Sequence, residues 1–287
     1  MCERKQAQRA EQMKLLYACD IHTNRQHVKT LLDIAVRRGV NAVAIGGDVT
    51  PKVIFDQYGF NKLVYEQRKY LEGEFVPILR DFKKAHTAIN IYLDLGNDDF
   101  KANRDVLEKQ DGELFHLLHM TVSRLTEDID IVGFMDVPVT PFTIKDWEKA
   151  DKKRQYPPVD STIKGYVSRG SHLLNHVINV FKDTSIEEEL AELGKQITKP
   201  FIFVCHTPPY MTKLDQLYSG RHVGSTAVRE FIEYWAFKGL LKASFHGHIH
   251  ESPQVSGSTV DYVGGVECYN PGQTERKLQY VVWECAG

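Results

Sequence analysis

Short groups of acidic, amide and imidazole residues follow five compact apolar segments of this chain. Their side chains offer oxygen and nitrogen donors, which suit Mn, Fe, Zn or Co better than a metal that prefers thiolates. If the apolar segments are strands of an open α/β sheet, ligands bind at their carboxyl ends, so groups distant in the chain can converge there. Seven donors are too many for one tetrahedral ion and indicate two ions. These candidate metal ligands are Asp20, His22, Asp48, Asn97, His206, His248 and His250.

The spacing of these residues supports a common site. Asp20 and His22 are two positions apart, as are His248 and His250, so an extended backbone would point both members of each pair to one side. Each short pattern alone is common by chance, and a single histidine is more often structural; together they favour a metal site over coincidence. Glycines lie beside the ligands and let the backbone turn tightly there, at Gly46, Gly47, Gly96 and Gly247.

The apolar segments alternate with amphipathic stretches, which predicts strands and helices in turn. Residues 14–19 and 41–45 enclose a helical periodicity that ends at Gly39, and this βαβ unit favours a parallel sheet. We expect one later helix to stop ahead of an interruption at Pro77, and a Ser185/Glu188 capping box to open another. Further strands are predicted at residues 89–95, 129–134, 201–205, 243–245, 259–263 and 278–283, and further helices at 60–71, 186–197 and 228–235.

The composition is that of an ordinary globular protein. The 287 residues are 42% hydrophobic and 26% charged, with 36 Lys and Arg against 38 Asp and Glu. The formal charge of −2 argues against a nucleic-acid or anionic-membrane binder, since both rely on clustered positive charge. No apolar run is long enough to span a membrane, and the polar first 13 residues do not resemble a secretory signal, so we expect a cytoplasmic protein. The five scattered cysteines include no CxxC pair and are expected to be reduced thiols.

The chain shows no repeat and no clear linker. We therefore expect one domain over residues 1–287, with residues 1–13 as a polar N-terminal extension. Residues 136–172 are rich in proline and charge, and an irregular segment of that length inside a domain is usually a lid or a binding element. We predict that they form a lid or a substrate-binding insertion.

Taken in order, the motifs DxH, GGD, GND, H and GHxH resemble those of the calcineurin-like metallophosphoesterase superfamily, from Asp20 to His250. The stretch that runs from His206-Thr-Pro-Pro-Tyr210 to Asn270-Pro-Gly272 is similar to the small bacterial and archaeal branch of that superfamily. The resemblance implies an α/β fold, a four-layer αββα sandwich of two mixed sheets with flanking helices. It also implies that Asp48 bridges two divalent ions, one held by Asp20, His22 and His250 and the other by Asn97, His206 and His248.

The reaction that the resemblance implies is hydrolysis of a phosphoester. Two divalent ions, two aspartates and a bridging hydroxide sum to about +1, which favours an anionic phosphate. Paired metal ions also lower the pKa of water and clamp the oxygens of an in-line displacement. We predict that a hydroxide bridging the ions attacks a small phosphorylated substrate, with no covalent enzyme intermediate. Phosphodiesters and phosphomonoesters both remain open as substrates.

The sequence departs from the family pattern at Asp98, where many members have a histidine that assists the phosphoryl group or the leaving oxygen. An ionised Asp98 facing phosphate would repel it, so the residue is protonated, points away, orients another ligand, or serves a substrate that needs little acid help. Asp98 and the following Asp99 could equally be helix N-caps. His222 is a candidate replacement acid, Arg221 a candidate phosphate contact, and Tyr210 a candidate pocket residue.

Other interpretations stay open beside the enzyme. The alternative function is a scaffold that keeps the fold and the metal ions but has lost turnover, and Asp98 is its main support. A nuclease is disfavoured by the charge of −2, and a protein phosphatase by the altered GNH motif. We expect Cys19 and Cys205 to pack in the core, and Trp147 to pack or to line the pocket. His246 is expected to have a structural or supporting role. We expect a surface helix to carry His116 and His119, and the charges at 152–154 to be solvated.

Overall fold

Two large mixed sheets carry most of the apolar segments. The structure, a computed structural model, describes residues 13–22, 24–52, 60–158 and 160–285. Apart from Met13, the predicted extension 1–13 lies outside these ranges. The strands of the described part are β1 (Lys14–Ala18), β2 (Ala42–Gly46), β3 (Asn90–Asp94), β4 (His116–Leu117), β5 (Thr121–Arg124), β6 (Asp130–Phe134), β7 (Val137–Pro138), β8 (Glu148–Lys149), β9 (Lys164–Arg169), β10 (His172–Val177), β11 (Phe201–Cys205), β12 (Leu241–Phe245), β13 (Val260–Val263), β14 (Val266–Tyr269) and β15 (Val281–Glu284).

The first large sheet has the strand order β15-β1-β2-β3-β4, in which only β15 runs antiparallel to its neighbour. The second has the order β13-β14-β12-β11-β6-β5, with a parallel centre and antiparallel pairs at both edges. Short pairs are formed by β7 with β8 and by β9 with β10. The helices are α1 (Arg25–Arg38), α2 (Phe60–Tyr70), α3 (Val76–Ala85), α4 (Arg104–Glu108), α5 (Ile186–Gly194), α6 (Thr226–Phe237) and α7 (Ser252–Ser256).

Side-chain alternation along β11 explains how these elements pack. Ile202 and Val204 join the core cluster that also contains β1, β2 and α1, while Phe201 and Phe203 face the cluster formed with α5 and α6. Each face of this central strand is therefore buried, one against the other sheet and one against helices. The fold is mixed α/β with two large mixed sheets and flanking helices, as predicted. Burial on both faces is also what a four-layer sandwich requires.

Most predicted elements are present. Gly39 ends α1 in a left-handed conformation with φ 59°, and the Ser185/Glu188 capping box opens α5. The interruption at Pro77 is wrong: a π-helical turn, Leu71–Phe75, leads directly into α3, where Pro77 occupies the first turn. The backbone stays helical through the junction because the hydrogen bonding changes ahead of the proline: the Val76 N–H donates to the Leu71 carbonyl oxygen, five residues back, and Pro77 has no N–H to donate.

Residues 136–172 are more regular than their composition suggests. They contain β7, β8, β9 and the first residue of β10, and the hairpin of β9 with β10 packs beside α2. The predicted surface helix with His116 and His119 is also wrong, since His116 lies in β4 and His119 follows it. The His119 side chain is 12% exposed and packs edge-on against buried Trp147. The three-residue spacing of the two histidines therefore does not reflect a shared helix face.

Candidate metal centre and adjoining cavity

All seven predicted ligands lie just beyond the carboxyl ends of five strands. Asp20, Asp48 and Asn97 follow β1, β2 and β3 of the first sheet. His206 follows β11 of the second sheet, and the pair His248/His250 follows β12. His22 lies on the same loop as Asp20. The two sheets therefore contribute to one site along a shared edge, which is where parallel strands present ligand-binding groups.

The loops reach this geometry through left-handed backbone. Asp20, His22, Asp48 and His248 have φ values of 55°, 44°, 52° and 65°. The expectation of an extended backbone between paired ligands is therefore wrong, although both pairs still converge. Non-glycine residues adopt this conformation at a cost of about 1–3 kcal/mol each, so the surrounding fold must enforce it, as is common at functional sites.

One group of side chains contains Asp20, His22, Asp48 and His250. One potential ligand atom from each lies within 4.8 Å of the others. The Nε2 atoms of His22 and His250 are 3.3 Å apart, His250 Nε2 is 3.3 Å from Asp20 Oδ1, and His22 Nε2 is 3.8 Å from Asp48 Oδ2. Two carboxylates and two imidazoles at these separations could hold a divalent ion.

A second group shares Asp48 with the first. His206 Nε2 lies 3.5 Å from Asp48 Oδ2 and 2.9 Å from Asn97 Oδ1. His248 Nδ1 lies 2.6 Å from the same Asn97 oxygen. The other ring nitrogen of His206, Nδ1, is 2.7 Å from the carbonyl oxygen of Gly46, which fixes the ring orientation. Asp48 thus stands between two clusters of donors.

Glycines bring the loops close enough to form these clusters. A Cβ on Gly96 would lie 2.5 Å from the backbone nitrogen of Asp48, and a Cβ on Gly247 would lie 2.7 Å from Asp20 Oδ2. Gly47 has φ 98°, which a side chain would strain, and a Cβ there would approach His206 Nδ1 to 2.8 Å. The glycine-rich motifs therefore reflect space beside the candidate ligands.

The buried carboxylates make the site strongly attractive to positive charge. Burial acts to raise the pKa of Asp48, but the facing His206 imidazole lowers it to about 2. Burial lowers the pKa of His206, yet the Asp48 and Asp20 charges raise it to about 10. Asp20 Oδ2 is buried and has no hydrogen-bond partner among the described residues. An orphaned carboxylate oxygen beside imidazoles fits a cation site, because a buried charge without a partner is costly.

Asp98 and Asp99 have different roles in the same loop. The Asp99 carboxylate accepts hydrogen bonds from the backbone N–H groups of Val49, Thr50 and Gly96, so it ties the GGD and GND loops together. The Asp98 carboxylate lies 4.0 Å from His22 Nδ1, and burial together with the Asp48 charge raises its pKa to about 7. Neither side chain caps a helix, since the next helical turn, Lys101–Asn103, has Phe100 at its N-cap and no side-chain cap.

A cavity of about 650 Å³ adjoins the second group through His248. His222 lines it, and its Nδ1 lies 2.7 Å from Asp215 Oδ1, which also accepts the Thr212 N–H. Arg221 lines it too but forms a two-pronged ion pair with Asp160, with Nη2 at 2.8 Å from Oδ1. Phosphate contact by Arg221 would compete with this carboxylate. Tyr210 lies at the wall, with its ring edge-on to His222.

Two residues near the site were missed by sequence reasoning. Asp215 is buried and orients His222, but a lone aspartate in an irregular loop gives no signal. Lys52 is exposed and close enough for its charge to lower the pKa of His22 and Asp98. The only feature of the sequence that places Lys52 near the site is its position four residues after the GGD motif.

The remaining candidates are structural. His246 is fully buried, with Nδ1 2.9 Å from the Thr207 carbonyl oxygen and 3.2 Å from that of Cys205, so it supports the His206 loop from both sides. Buried Trp147 donates to the Asp99 carbonyl oxygen. Cys19 and Cys205 are buried in the two core clusters, and the charges at 152 and 153 pair with glutamates of the neighbouring helices. The described cysteines, Cys19, Cys205, Cys268 and Cys285, are free.

The model of the calcineurin-like phosphoesterase family matches residues 13–252. The chain therefore belongs to that family, which confirms the resemblance drawn from its motifs. No curated protein matches the chain. None of the helices in the described ranges combines the length and hydrophobicity that a membrane crossing requires.

Solved structures share the fold at low sequence identity. One superposes with a TM-score of 0.61 at 12% identity, covering 95% of both chains. TT1561 of Thermus thermophilus has a TM-score of 0.54 at 15% identity, covering 94% of this chain and 98% of that one. A dimetal phosphatase from Danio rerio has a TM-score of 0.52 at 9% identity, covering 94% of this chain and 91% of that one.

Proposed function

We propose that the protein is a phosphoester hydrolase that uses two divalent metal ions on a small phosphorylated substrate. Asp20, His22 and His250 would hold one ion and Asn97, His206 and His248 the other, with Asp48 shared. The observation that carries this proposal is the convergence of seven donors from both sheets on one edge. The ions would lower the pKa of bound water and neutralise phosphoryl oxygens.

The chain's own residues complete the site. His222 would donate the proton to the leaving oxygen from Nε2 while Asp215 holds Nδ1 and so keeps the imidazole oriented. The Gln216 side-chain nitrogen lies 3.2 Å from Nε2, so the substrate would have to replace this partner. Asp98 would remain beside His22, where its raised pKa reduces the repulsion of phosphate. Arg221 would have to leave Asp160 before it could contact phosphate. Lys52 is an exposed cation close enough to lower the pKa of His22 and Asp98, so it is the better placed of the two.

The test is hydrolysis of bis-p-nitrophenyl phosphate by protein reconstituted with Mn²⁺. Asp48→Ala removes the shared carboxylate, and we expect at least a 100-fold loss of activity together with a loss of bound manganese. Asp33→Ala, an exposed change on α1, serves as the matched control and should leave both unchanged. Equal turnover in Asp48→Ala and in the parent protein would contradict the proposal.

A scaffold that binds metal without turnover is the second candidate, and Asp98 favours it. With Asp98 ionised, a third carboxylate lies beside the pair Asp20 and Asp48, so a loaded site would carry less positive charge toward phosphate. Under this alternative the protein binds manganese at the same residues but shows no Asp48-dependent turnover of any phosphoester. Asp98→His should then create or raise activity.

A further inference from the structure

Large apolar side chains that would ordinarily be buried are exposed around one cavity. Phe142, Tyr156, Tyr210 and Met211 line it and are 51%, 74%, 37% and 57% exposed. Scattered single exposures are ordinary, but a group of this kind around one concave surface marks a binding site. Proline residues 138, 141, 157 and 158 also line the cavity and stiffen its wall.

The cavity adjoins the candidate metal centre. His248, Ile249 and Glu251 belong to its lining, and His248 is also a predicted ligand. Its volume of about 650 Å³ is that of a site for a small organic molecule, and far exceeds what a phosphoryl group needs. A phosphoester whose phosphorus lies at the metal centre would therefore place its organic group in this cavity.

The charges of the lining decide what kind of group fits. Arg221 is the one Lys or Arg among the described lining residues, and Asp160 neutralises it with Nη2 at 2.8 Å from Oδ1. Asp151 accepts the Thr226 N–H at 2.8 Å, at the N-terminus of α6, so its charge is compensated within the fold. Glu251 adds a negative charge. A second phosphate or a carboxylate would meet no free cation there, whereas an uncharged group would not be opposed.

We propose that this cavity binds the uncharged, apolar or aromatic organic group of a phosphoester that carries a single phosphoryl centre. The inference rests on the proposed function, because the metal centre defines where the phosphorus lies. Phe142, Tyr156 and Tyr210 supply the contact area. Nucleoside polyphosphates and other polyanions are disfavoured, because the described lining offers them no unpaired Lys or Arg and Glu251 adds a negative charge.

The test compares three phosphonates that are not hydrolysed: methylphosphonate, benzylphosphonate and 4-carboxybenzylphosphonate. Inhibition constants against bis-p-nitrophenyl phosphate and calorimetric binding to the Mn²⁺-loaded protein give two independent measurements, of which calorimetry needs no turnover. We expect benzylphosphonate to bind roughly tenfold or more tightly than methylphosphonate, since burial of the ring removes apolar area from water. Calorimetry should show a more negative heat-capacity change for the benzyl compound. The added carboxylate should abolish most of the gain.

Substitutions at exposed lining residues connect the preference to the cavity. Tyr156→Ala and Phe142→Ala, tested separately, should each move the ratio of benzyl to methyl binding toward 1. Tyr262→Ala is the matched control, because Tyr262 is 60% exposed on edge strand β13, away from the cavity lining. It should leave the ratio unchanged.

The outcomes separate the two proposals. Manganese-dependent hydrolysis with a benzyl-to-methyl ratio near 1 would overturn the cavity inference and leave the proposed function intact. Tighter binding of the carboxybenzyl compound than of the benzyl compound would also overturn it, in favour of an anionic substrate group. No hydrolysis together with a clear benzyl preference would overturn the proposed function but support an apolar ligand in this cavity.

Discussion

At the scale of single residues, the proposed proton donor is the point at which this chain departs most from the family pattern. Asp98 replaces the usual histidine, and His222, held through Nδ1 by buried Asp215, lines the same cavity as His248. Asp215 accepts backbone N–H groups from Met211 and Gly224, at 3.1 and 2.9 Å, so its carboxylate is fixed before it meets the imidazole. This arrangement orients the imidazole, and its Nε2 would serve as an acid once the substrate replaces the Gln216 side-chain nitrogen, which lies 3.2 Å away.

The acid function predicts a dependence on the leaving group. His222→Ala should lower kcat/KM for phenyl esters by about 10²–10³-fold, because phenolate needs a proton more than p-nitrophenolate does. For p-nitrophenyl esters the loss should be roughly threefold or less. Asp215→Asn should also lower kcat/KM more for phenyl esters than for p-nitrophenyl esters, but by a smaller factor than His222→Ala, since it disturbs only the orientation of the ring.

His172→Ala, on exposed strand β10, is the control and should leave kcat/KM unchanged for both esters. An equal loss for both esters in His222→Ala would indicate a structural role for this histidine. The kinetic comparison therefore distinguishes an acid from a packing residue.

His119 predicts a pH dependence of stability. Burial lowers its pKa to about 3 from 6.5, and its Nδ1 accepts the Met135 N–H at 3.1 Å. Between these pH values the unfolded chain binds a proton that the folded protein does not, so stability present above pH 6.5 is lost as the pH falls. Between the two pKa values, His119 lowers the free energy of unfolding by up to about 1.4 kcal/mol for each pH unit of acidification.

Urea unfolding at pH 7, 6 and 5 in the presence of chelator measures this effect. His119→Gln keeps a hydrogen-bond acceptor but cannot titrate, so its free energy of unfolding should fall less steeply with acid than that of the parent protein. Exposed His172→Gln should retain the parent slope. Identical slopes for His119→Gln and the parent would refute the prediction.

At the scale of elements, strand ends and caps were predictable because they depend on local sequence. The apolar run 201–205 is β11 to the residue, and Ser185 with Glu188 marks the start of α5. The π-helical turn before Pro77 was not predictable, since the spacing of apolar residues does not distinguish the i→i−5 hydrogen bonds of a π-helix from the i→i−4 hydrogen bonds of an α-helix. The hairpin of β9 with β10, which begins inside 136–172 and ends at Val177, was also missed, because β10 exposes most of its side chains and so lacks an apolar pattern.

The loop that joins β3 to the site predicts an intolerance to added volume. A Cβ on Gly96 would lie 2.9 Å from Asp48 Cγ and 2.5 Å from the Asp48 backbone nitrogen, so Gly96→Ala must displace the shared carboxylate. We expect manganese affinity to fall by about tenfold or more, as for changes that disturb the support of a metal ligand. Calorimetric titration with Mn²⁺ measures it.

Gly73→Ala provides the matched control, because a Cβ at Gly73 meets no atom within 4 Å. Its manganese affinity should equal that of the parent protein, and its stability should be equal or higher because alanine favours helical backbone. Unchanged affinity in Gly96→Ala would mean that the loop shifts without moving Asp48. The GGD and GND loops would then be less tightly coupled than their contacts indicate.

At the scale of the whole molecule, the candidate ligands connect the two sheets. Asp20, Asp48 and Asn97 come from the first sheet, whereas His206 and His248 come from the second. Direct contacts cross the same boundary, since the His248 N–H donates to Asp20 Oδ1 at 3.1 Å and His206 Nδ1 lies 2.7 Å from the Gly46 carbonyl oxygen. The sequence predicted which residues converge. It did not predict the left-handed loops, because non-glycine residues adopt positive φ at a cost that the local sequence does not reveal and the surrounding structure must offset.

Metal ions bound at this boundary would stabilise the junction of the sheets. Free Mn²⁺ at about 100 times its Kd adds about 2.7 kcal/mol per ion, so chelation should lower Tm by about 5 °C or more. Hydrogen exchange should then accelerate in the loops after β1, β2, β11 and β12 together, rather than in one sheet. Asp48→Ala should abolish both responses to Mn²⁺, while Asp33→Ala should keep them. Exchange that changes in only one sheet would show that the ions do not join the two halves of the fold.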